Sequence, residues 1–148
     1  INKDTLSFVS VGWFYYYPLG KFDKIEGFQK DYPIFLLKIE DIKEENETNR
    51  LYRMIYKQSF IKLFYQPDTE LMEIVSGKIK DKEIEFVDGI RVGVTKEKFL
   101  ATLFNEKVDL NEIQVFRIYS ALDGINHTYS FDKNILKTIF LDNIIHAL

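Results

Sequence analysis

Short runs of apolar, aromatic and β-branched residues, separated by turn-forming residues, recur along most of the chain. This pattern is typical of β-strands in a packed sheet. The predicted strands are residues 34–39, 51–56, 60–65, 71–75, 113–119, 125–131 and 135–141. A weaker opening strand is predicted within residues 7–17. The turn-forming segment Pro18-Leu19-Gly20 follows it and ends it. Residues 78–85 are charged and are predicted to be a linker.

The first predicted helix follows this opening strand. Asp23 is in position to cap it, and Glu26 three residues later completes the spacing of a capping box. The helix would bury Ile25 and Phe28 and would end before Pro33, because the residue that precedes a proline disfavours the α region.

A glycine turn and a second helix occupy the middle of the chain. Gly89 and Gly93 are predicted to give the backbone its turn geometry, and Thr95 is predicted to cap a helix over residues 96–104. Glu97 lies in the first turn, where the helix dipole favours a negative charge. The apolar stripe of this helix consists of Phe99, Leu100, Leu103 and Phe104.

The two halves of the chain resemble each other. Residues 60–79 match residues 125–144 without gaps, at the offset of 65 positions that separates Leu71 from Leu136. The matched pairs are Leu71–Leu136, Ile74–Ile139, Ile79–Ile144 and Phe64–Tyr129. The sequence thus predicts a single α+β domain over residues 1–148. This domain would consist of two units, 1–79 and 80–148, and each unit would contain a short helix and a three- to four-stranded antiparallel sheet. An ordinary chain of alternating strands would also produce such matches.

Composition and charge narrow the classes of function. Lys and Arg (20) are mixed with Asp and Glu (23), the net charge is −3, and no basic block that would bind nucleic acid occurs. The chain has no cysteine, which excludes disulfides, thiolate metal sites and cysteine nucleophiles. No apolar run reaches the ~18 residues of a membrane span, so we expect no membrane insertion. Because the chain begins with Ile1, we expect a mature or trimmed form, and a lipid anchor before Ile1 stays open.

The sequence contains no constellation that points to catalysis. His127 and His146 are too far apart for a ligand motif and are expected to be exposed polar residues. Neither a Gly-x-Ser-x-Gly elbow nor a phosphate-binding glycine loop occurs. The carboxylates of residues 40–47 fall mostly in a predicted exposed loop. We therefore expect no catalytic residue, no metal and no cofactor, and a protein that is not an enzyme.

The aromatic cluster before Pro18 is the best candidate for a binding site. Because side chains alternate along a strand, either set of residues could face outward. Exposed Trp and Tyr side chains are common hot spots in protein interfaces and stacking platforms for sugars. The alternative is that a second layer covers both faces. The candidate binding residues are Trp13, Phe14, Tyr15, Tyr16 and Tyr17.

A resemblance to a protein family rests on two segments. Residues 89–100, GIRVGVTKEKFL, and residues 129–139, YSFDKNILKTI, resemble the glycine turn with its helix and the closing hairpin of small bacterial envelope lipoproteins of the SmpA/OmlA type. The tandem arrangement resembles the β-lactamase-inhibitor-protein-like fold, as found in secreted proteins of Bacteroidetes-type bacteria. The first half departs from the pattern, with Gly20-Lys-Phe-Asp in place of Gly-Val-Thr.

The resemblance implies a location in the periplasm or at the cell surface, with or without a lipid anchor. It also implies a non-enzymatic module that binds another protein through one face of its sheet. The alternative is a carrier of a small ligand or glycan in an aromatic-lined pocket between sheet and helices, and an enzyme and an intracellular immunity-type inhibitor also stay open. Asp4-Thr5-Leu6 resembles the O-glycosylation motif of such bacteria, which makes Thr5 a candidate site in a polar N-terminal tether.

Overall fold

The computed structural model describes residues 4–9, 17–41, 50–104, 110–119 and 124–143. Strands make up 50% and helices 14% of it, which confirms a sheet-dominated protein. The strands are β1 Thr5–Val9, β2 Leu36–Asp41, β3 Arg50–Tyr56, β4 Ser59–Gln66, β5 Leu71–Ile79, β6 Val115–Tyr119, β7 Ile125–Asp132 and β8 Ile135–Asn143, and the helices are α1 Ile25–Asp31 and α2 Lys96–Phe104.

All eight strands belong to one mixed sheet with the order β1-β6-β7-β8-β5-β4-β3-β2. The pairs are antiparallel except β1 with β6, which is parallel. In the centre, Gly77 is opposite Leu141 and Ile79 is opposite Ile139. The prediction that a linker begins at residue 78 was wrong, because residues 76–78 pair with β4 and residues 76–79 pair with β8, which satisfies their backbone groups within the sheet.

Both helices pack on the same face of the sheet, which we call the inner face. Phe99 of α2 has its ring centroid 5.2 Å from that of Phe116 and 4.9 Å from that of Tyr129. Phe28 of α1 is 5.7 Å from Phe35, which continues the cluster beside β2. Burial of each such ring stabilises the fold by about 1.5–3 kcal/mol. One hydrophobic core therefore lies under both helices.

The start of α2 is fixed by a glycine turn. Gly89 and Gly93 have φ angles of +92° and +103°, a region that side chains other than glycine rarely adopt. The Gly93 N–H donates to the Leu136 carbonyl at 2.9 Å, which holds the turn against β8. The Thr95 hydroxyl accepts a hydrogen bond from the Lys98 N–H at 3.2 Å and so caps the helix.

The start of α1 differs from the prediction. The N-cap residue is Lys24 and no side chain caps the helix, so the predicted capping box of Asp23 and Glu26 was wrong. Because the helix begins one residue later than predicted, Asp23 lies outside the capping position. Burial of Ile25 and Phe28 holds the helix on the sheet, as predicted.

The gapless match between the two halves was wrong within the strands. Ile61 and Leu63 of β4 are buried on the inner face, but an offset of 65 matches them with Asn126 and Thr128, which are half-buried on the opposite face. The cause is a difference in turn length: four residues, 67–70, separate β4 from β5, whereas two residues, 133 and 134, separate β7 from β8, so no single offset aligns both strands of the two hairpins.

Candidate binding surface

The sheet face opposite the helices, which we call the outer face, carries a continuous row of paired residues. Lys38 of β2 is opposite Arg53, and Arg53 is opposite Lys62. Lys62 is opposite Ser76, and Ser76 is opposite Asp142 of β8. Directly paired residues project from the same face of a sheet, so these side chains stand next to one another across five strands.

Three neighbouring cations begin this row, and we call Lys38, Arg53 and Lys62 the cation row. Adjacent strands lie about 4.8 Å apart, which places like charges side by side. Like charges directly opposite each other destabilise a sheet. Natural sequences keep such local conflicts mainly where function requires them.

Neighbouring groups neutralise Arg53 only in part. Its Nη1 atom lies 3.6 Å from Oε1 of Glu40, and both side chains are more than a third exposed. Its guanidinium carbon lies 5.0 Å from the ring centroid of Phe60, within cation–π range. The Arg53 side chain is 38% exposed, so part of it is accessible to an anionic group outside the chain.

Apolar side chains lie beside the cation row. Ile55 is opposite both Leu36 and Phe60, and Phe60 is opposite Lys78, which is opposite Phe140. Leu36 is 68% exposed and Phe140 is 41% exposed. The Nζ atom of Lys78 lies 5.9 Å from the Phe140 ring centroid. The outer face thus combines exposed apolar area with positive charge.

Buried residues mark one limit of this surface. Phe64 and Glu73 are paired on the outer face but are 8% and 9% exposed. Glu73 accepts a hydrogen bond of 2.6 Å from the Thr69 hydroxyl and one of 3.5 Å from the Tyr17 hydroxyl. Burial, together with the Glu73 charge, raises the pKa of Tyr17. The cation row therefore lies on the part of the outer face away from this covered hairpin end.

Of the predicted aromatic site, Tyr17 alone lies within the described residues; Trp13, Phe14, Tyr15 and Tyr16 lie outside them. Tyr17 is half-buried, with the Lys21 Nζ atom 5.5 Å from its ring centroid. The binding role of the four other aromatic residues stays a prediction.

Thr5 and His127 occupy settings that differ from those predicted. Thr5 is not in a tether, because it is a β1 residue paired with Val115, and its hydroxyl donates to Asp4 at 3.2 Å. His127 was expected to be exposed but is 1% exposed, because it projects from the inner face of β7, with Nδ1 3.2 Å from the Tyr129 hydroxyl. His146 lies outside the described residues.

A buried lysine is the most unusual titratable group in the core. Lys96 is 3% exposed, and its Nζ atom donates to the Asn111 carbonyl at 3.0 Å. Burial lowers the pKa of Lys96. The contact holds residues 110–114 against the start of α2, which is a structural role. Within the described part of the chain, no three His, Asp or Glu side chains are grouped to hold a metal ion.

The volumes of the cavities show where a small ligand could bind, as the alternative function of a ligand carrier requires. The cavity between the sheet and α1, lined by Phe22, Phe28 and Leu63 among others, has a volume of about 10 Å³. That is room for one water at most. A groove of about 580 Å³ lies outside the core, beside Tyr52 and Tyr65. A ligand the size of a sugar would fit the groove but not the cavity.

The sequence contains a signal for the cation row that the pattern of apolar residues does not reveal. Each of the three strands has one cation inside an otherwise apolar run: Lys38 in LLKIE, Arg53 in LYRMIY and Lys62 in FIKLFY. The strands were predicted correctly, but the alignment of the three charges depends on the pairing register, which sequence periodicity leaves open.

Comparison with known proteins adds no relative: none of the protein-family models, curated proteins or solved structures compared with the chain matches it. None of the helices in the described ranges is long and apolar enough to cross a membrane.

Proposed function

We propose that the protein is a non-enzymatic binding module that contacts an acidic surface of another protein through the outer face of its sheet. The observation that carries the proposal is the cation row of Lys38, Arg53 and Lys62, aligned in register on the sheet face that the helices leave uncovered. An anionic partner would relieve the repulsion within the row, so complex formation would recover free energy that folding alone does not.

The surroundings of the row favour a protein partner over nucleic acid. The chain as a whole is acidic, with a net charge of −3. Two carboxylates, Glu40 and Asp142, lie on the same face, where they would repel a continuous phosphate backbone. Exposed Leu36 and Phe140 supply apolar contact area of the kind that protein interfaces bury.

The proposal extends to architecture and location. We infer two tandem units, 1–79 and 80–148, because each helix is followed by antiparallel strands and the last strands of the two halves, β5 and β8, pair antiparallel at the centre of the sheet. The resemblance to envelope lipoproteins supports a place in the periplasm or at the cell surface.

Site-specific photo-crosslinking tests the protein-binding function. A benzoylphenylalanine would replace Phe140 on the outer face and, in a matched variant, Val87 beside α1, which is 49% exposed. We expect position 140 to cross-link to one protein in the producing cells and position 87 not to do so. Equal cross-linking from both positions, or none from position 140, would contradict the proposal.

The second candidate function is glycan binding in the groove beside Tyr52 and Tyr65. The supporting observation is that two tyrosines line a groove of about 580 Å³, next to Arg50 and Glu70 as polar partners. Tyr65→Ala would then weaken binding of soluble oligosaccharides in a glycan array, whereas Phe140→Ala would leave it unchanged.

A further inference from the structure

Strand β2 is an edge strand that exposes apolar side chains on both of its faces. Among the described residues it pairs only with β3, and none of the described strands covers the N–H and C=O groups of its other edge. Leu36 on the outer face is 68% exposed, Ile39 on the inner face is 51% exposed, and Ile34 just before the strand is 40% exposed. These are three of the six exposed large hydrophobic residues in the described ranges. Exposed apolar edges of this kind template the addition of another strand.

We propose that β2 pairs antiparallel with β2 of a second copy of this chain. A closed pair of identical chains is related by a two-fold axis, and the same patch on each copy must then complement itself. With the axis normal to the sheet, the outer faces of both copies lie on one side. Four registers centred within the strand satisfy this condition, on Leu37, Lys38, Ile39 or Glu40.

The charges of β2 select one of the four registers. Centring on Lys38 places that cation opposite its own copy, and centring on Glu40 does the same for a carboxylate; both arrangements are repulsive. Centring on Leu37 places Lys38 opposite the apolar Leu36. Centring on Ile39 places each Lys38 opposite Glu40 of the second copy, which gives two complementary charge pairs.

The selected register pairs one exposed apolar side chain with its own copy, although it also places Leu37 opposite Asp41 on the inner face. Ile39, which is 51% exposed in one chain, would be opposite Ile39 of the second copy and would lose much of that exposure. Lys38 is exposed, and its neighbour across the ladder within the chain is the like-charged Arg53. In the pair, Lys38 would gain a carboxylate on its open side. Lysine on an edge strand usually prevents such pairing, but here Glu40 two residues later supplies its partner.

The pair would join two sheets into one of sixteen strands and would bring two cation rows onto a common outer face. Because each β2 has six residues, the interface is short, and we expect a transient dimer that forms at high local concentration. This inference does not rest on the proposed partner of the outer face, since it uses the edge of β2 and a different contact.

Single-cysteine trapping tests the register directly, because the chain has no cysteine of its own. Ile39→Cys would be oxidised in parallel with Val9→Cys, a control position that is 58% exposed and lies on β1, at the opposite edge of the sheet. We expect the disulfide dimer of Ile39→Cys to form at least about tenfold faster, because antiparallel pairing holds the two thiols at bridging distance. Equal rates for the two variants would overturn the proposal.

Swapping the charges of Lys38 and Glu40 distinguishes pairing of two β2 strands from binding of a different partner to this strand. Sedimentation of the wild-type chain at increasing concentration is expected to reveal a dimer, which Lys38→Glu or Glu40→Lys alone weakens by at least about twofold. The double variant restores both cross-copy charge pairs and keeps a carboxylate next to Arg53, so it is expected to recover the dimer. A wild type that remains monomeric, or a double variant that stays as weak as the single ones, would refute this register.

Discussion

Neutralising the middle of the outer face should make the protein more stable. In Lys62→Gln the lysine charge is lost while the side chain keeps much of its stem. Lys62 is directly opposite Arg53 on one side and the uncharged Ser76 on the other. At ~5 Å in a medium like water, two unit charges repel by ~0.8 kcal/mol. Lys38 is two strands away, at about 10 Å, where the repulsion in water is ~0.4 kcal/mol and falls further as salt is added.

We therefore expect Lys62→Gln to raise the free energy of unfolding by about 0.5–1 kcal/mol at low ionic strength, within the range measured for cross-strand pairs. Urea unfolding at about 0.01 M and about 1 M salt measures this gain, which should nearly vanish at high salt because the screening length falls to ~3 Å. Lys62→Arg keeps the charge and should gain nothing. A loss of stability in Lys62→Gln, or a gain that is independent of salt, would refute the argument that the row is strained by like charge.

Three further predictions concern the contacts that hold the fold. Thr95→Ala should lower the free energy of unfolding by about 1 kcal/mol through loss of the α2 cap, and Thr95→Ser should not; equal losses would contradict the capping role. Ser59→Ala should cost about 1–3 kcal/mol in urea unfolding, because Ser59 is 2% exposed and its hydroxyl donates to Asp81 at 2.6 Å; a neutral result would contradict it. Burial and nearby carboxylates raise the pKa of Tyr32 to about 12. The stability that the neutral Tyr32 side chain contributes is therefore complete below pH ~10 and is lost as pH rises towards 12. Wild type should therefore lose stability faster than Tyr32→Phe over this range, and parallel pH profiles would contradict the shift.

Much of the fold was predictable because local patterns determine it. Thr95 and the two glycines predict the α2 start, and they act within a few residues of one another. Aromatic and β-branched runs predict the strands for the same reason. Residues 76–79 failed as a strand prediction because their polar appearance is compensated by ladders with β4 and β8, which are distant in sequence.

The candidate surface was less predictable because it depends on register. One cation per strand is visible at Lys38, Arg53 and Lys62, but a shift of one residue in any ladder would move its charge to the inner face. The register shift near Leu63 likewise could not be predicted from periodicity. The gapless match of the two halves failed because the two hairpin turns differ in length by two residues. His127 looked like an exposed polar residue for the same reason, since its neighbours in the sequence do not reveal which face it projects from.

Because β1 pairs with the distant strand β6, we expect the two edges of the sheet to form at different stages of folding. β2 pairs with β3 after a short connection, whereas Thr5 must find Val115, about 110 residues later in the chain. Contacts between residues so far apart form late in folding, because the entropy of closing the loop must be offset by structure already formed. We therefore expect β1 to be among the last strands to join the sheet, and the β6 edge to stay open until it does.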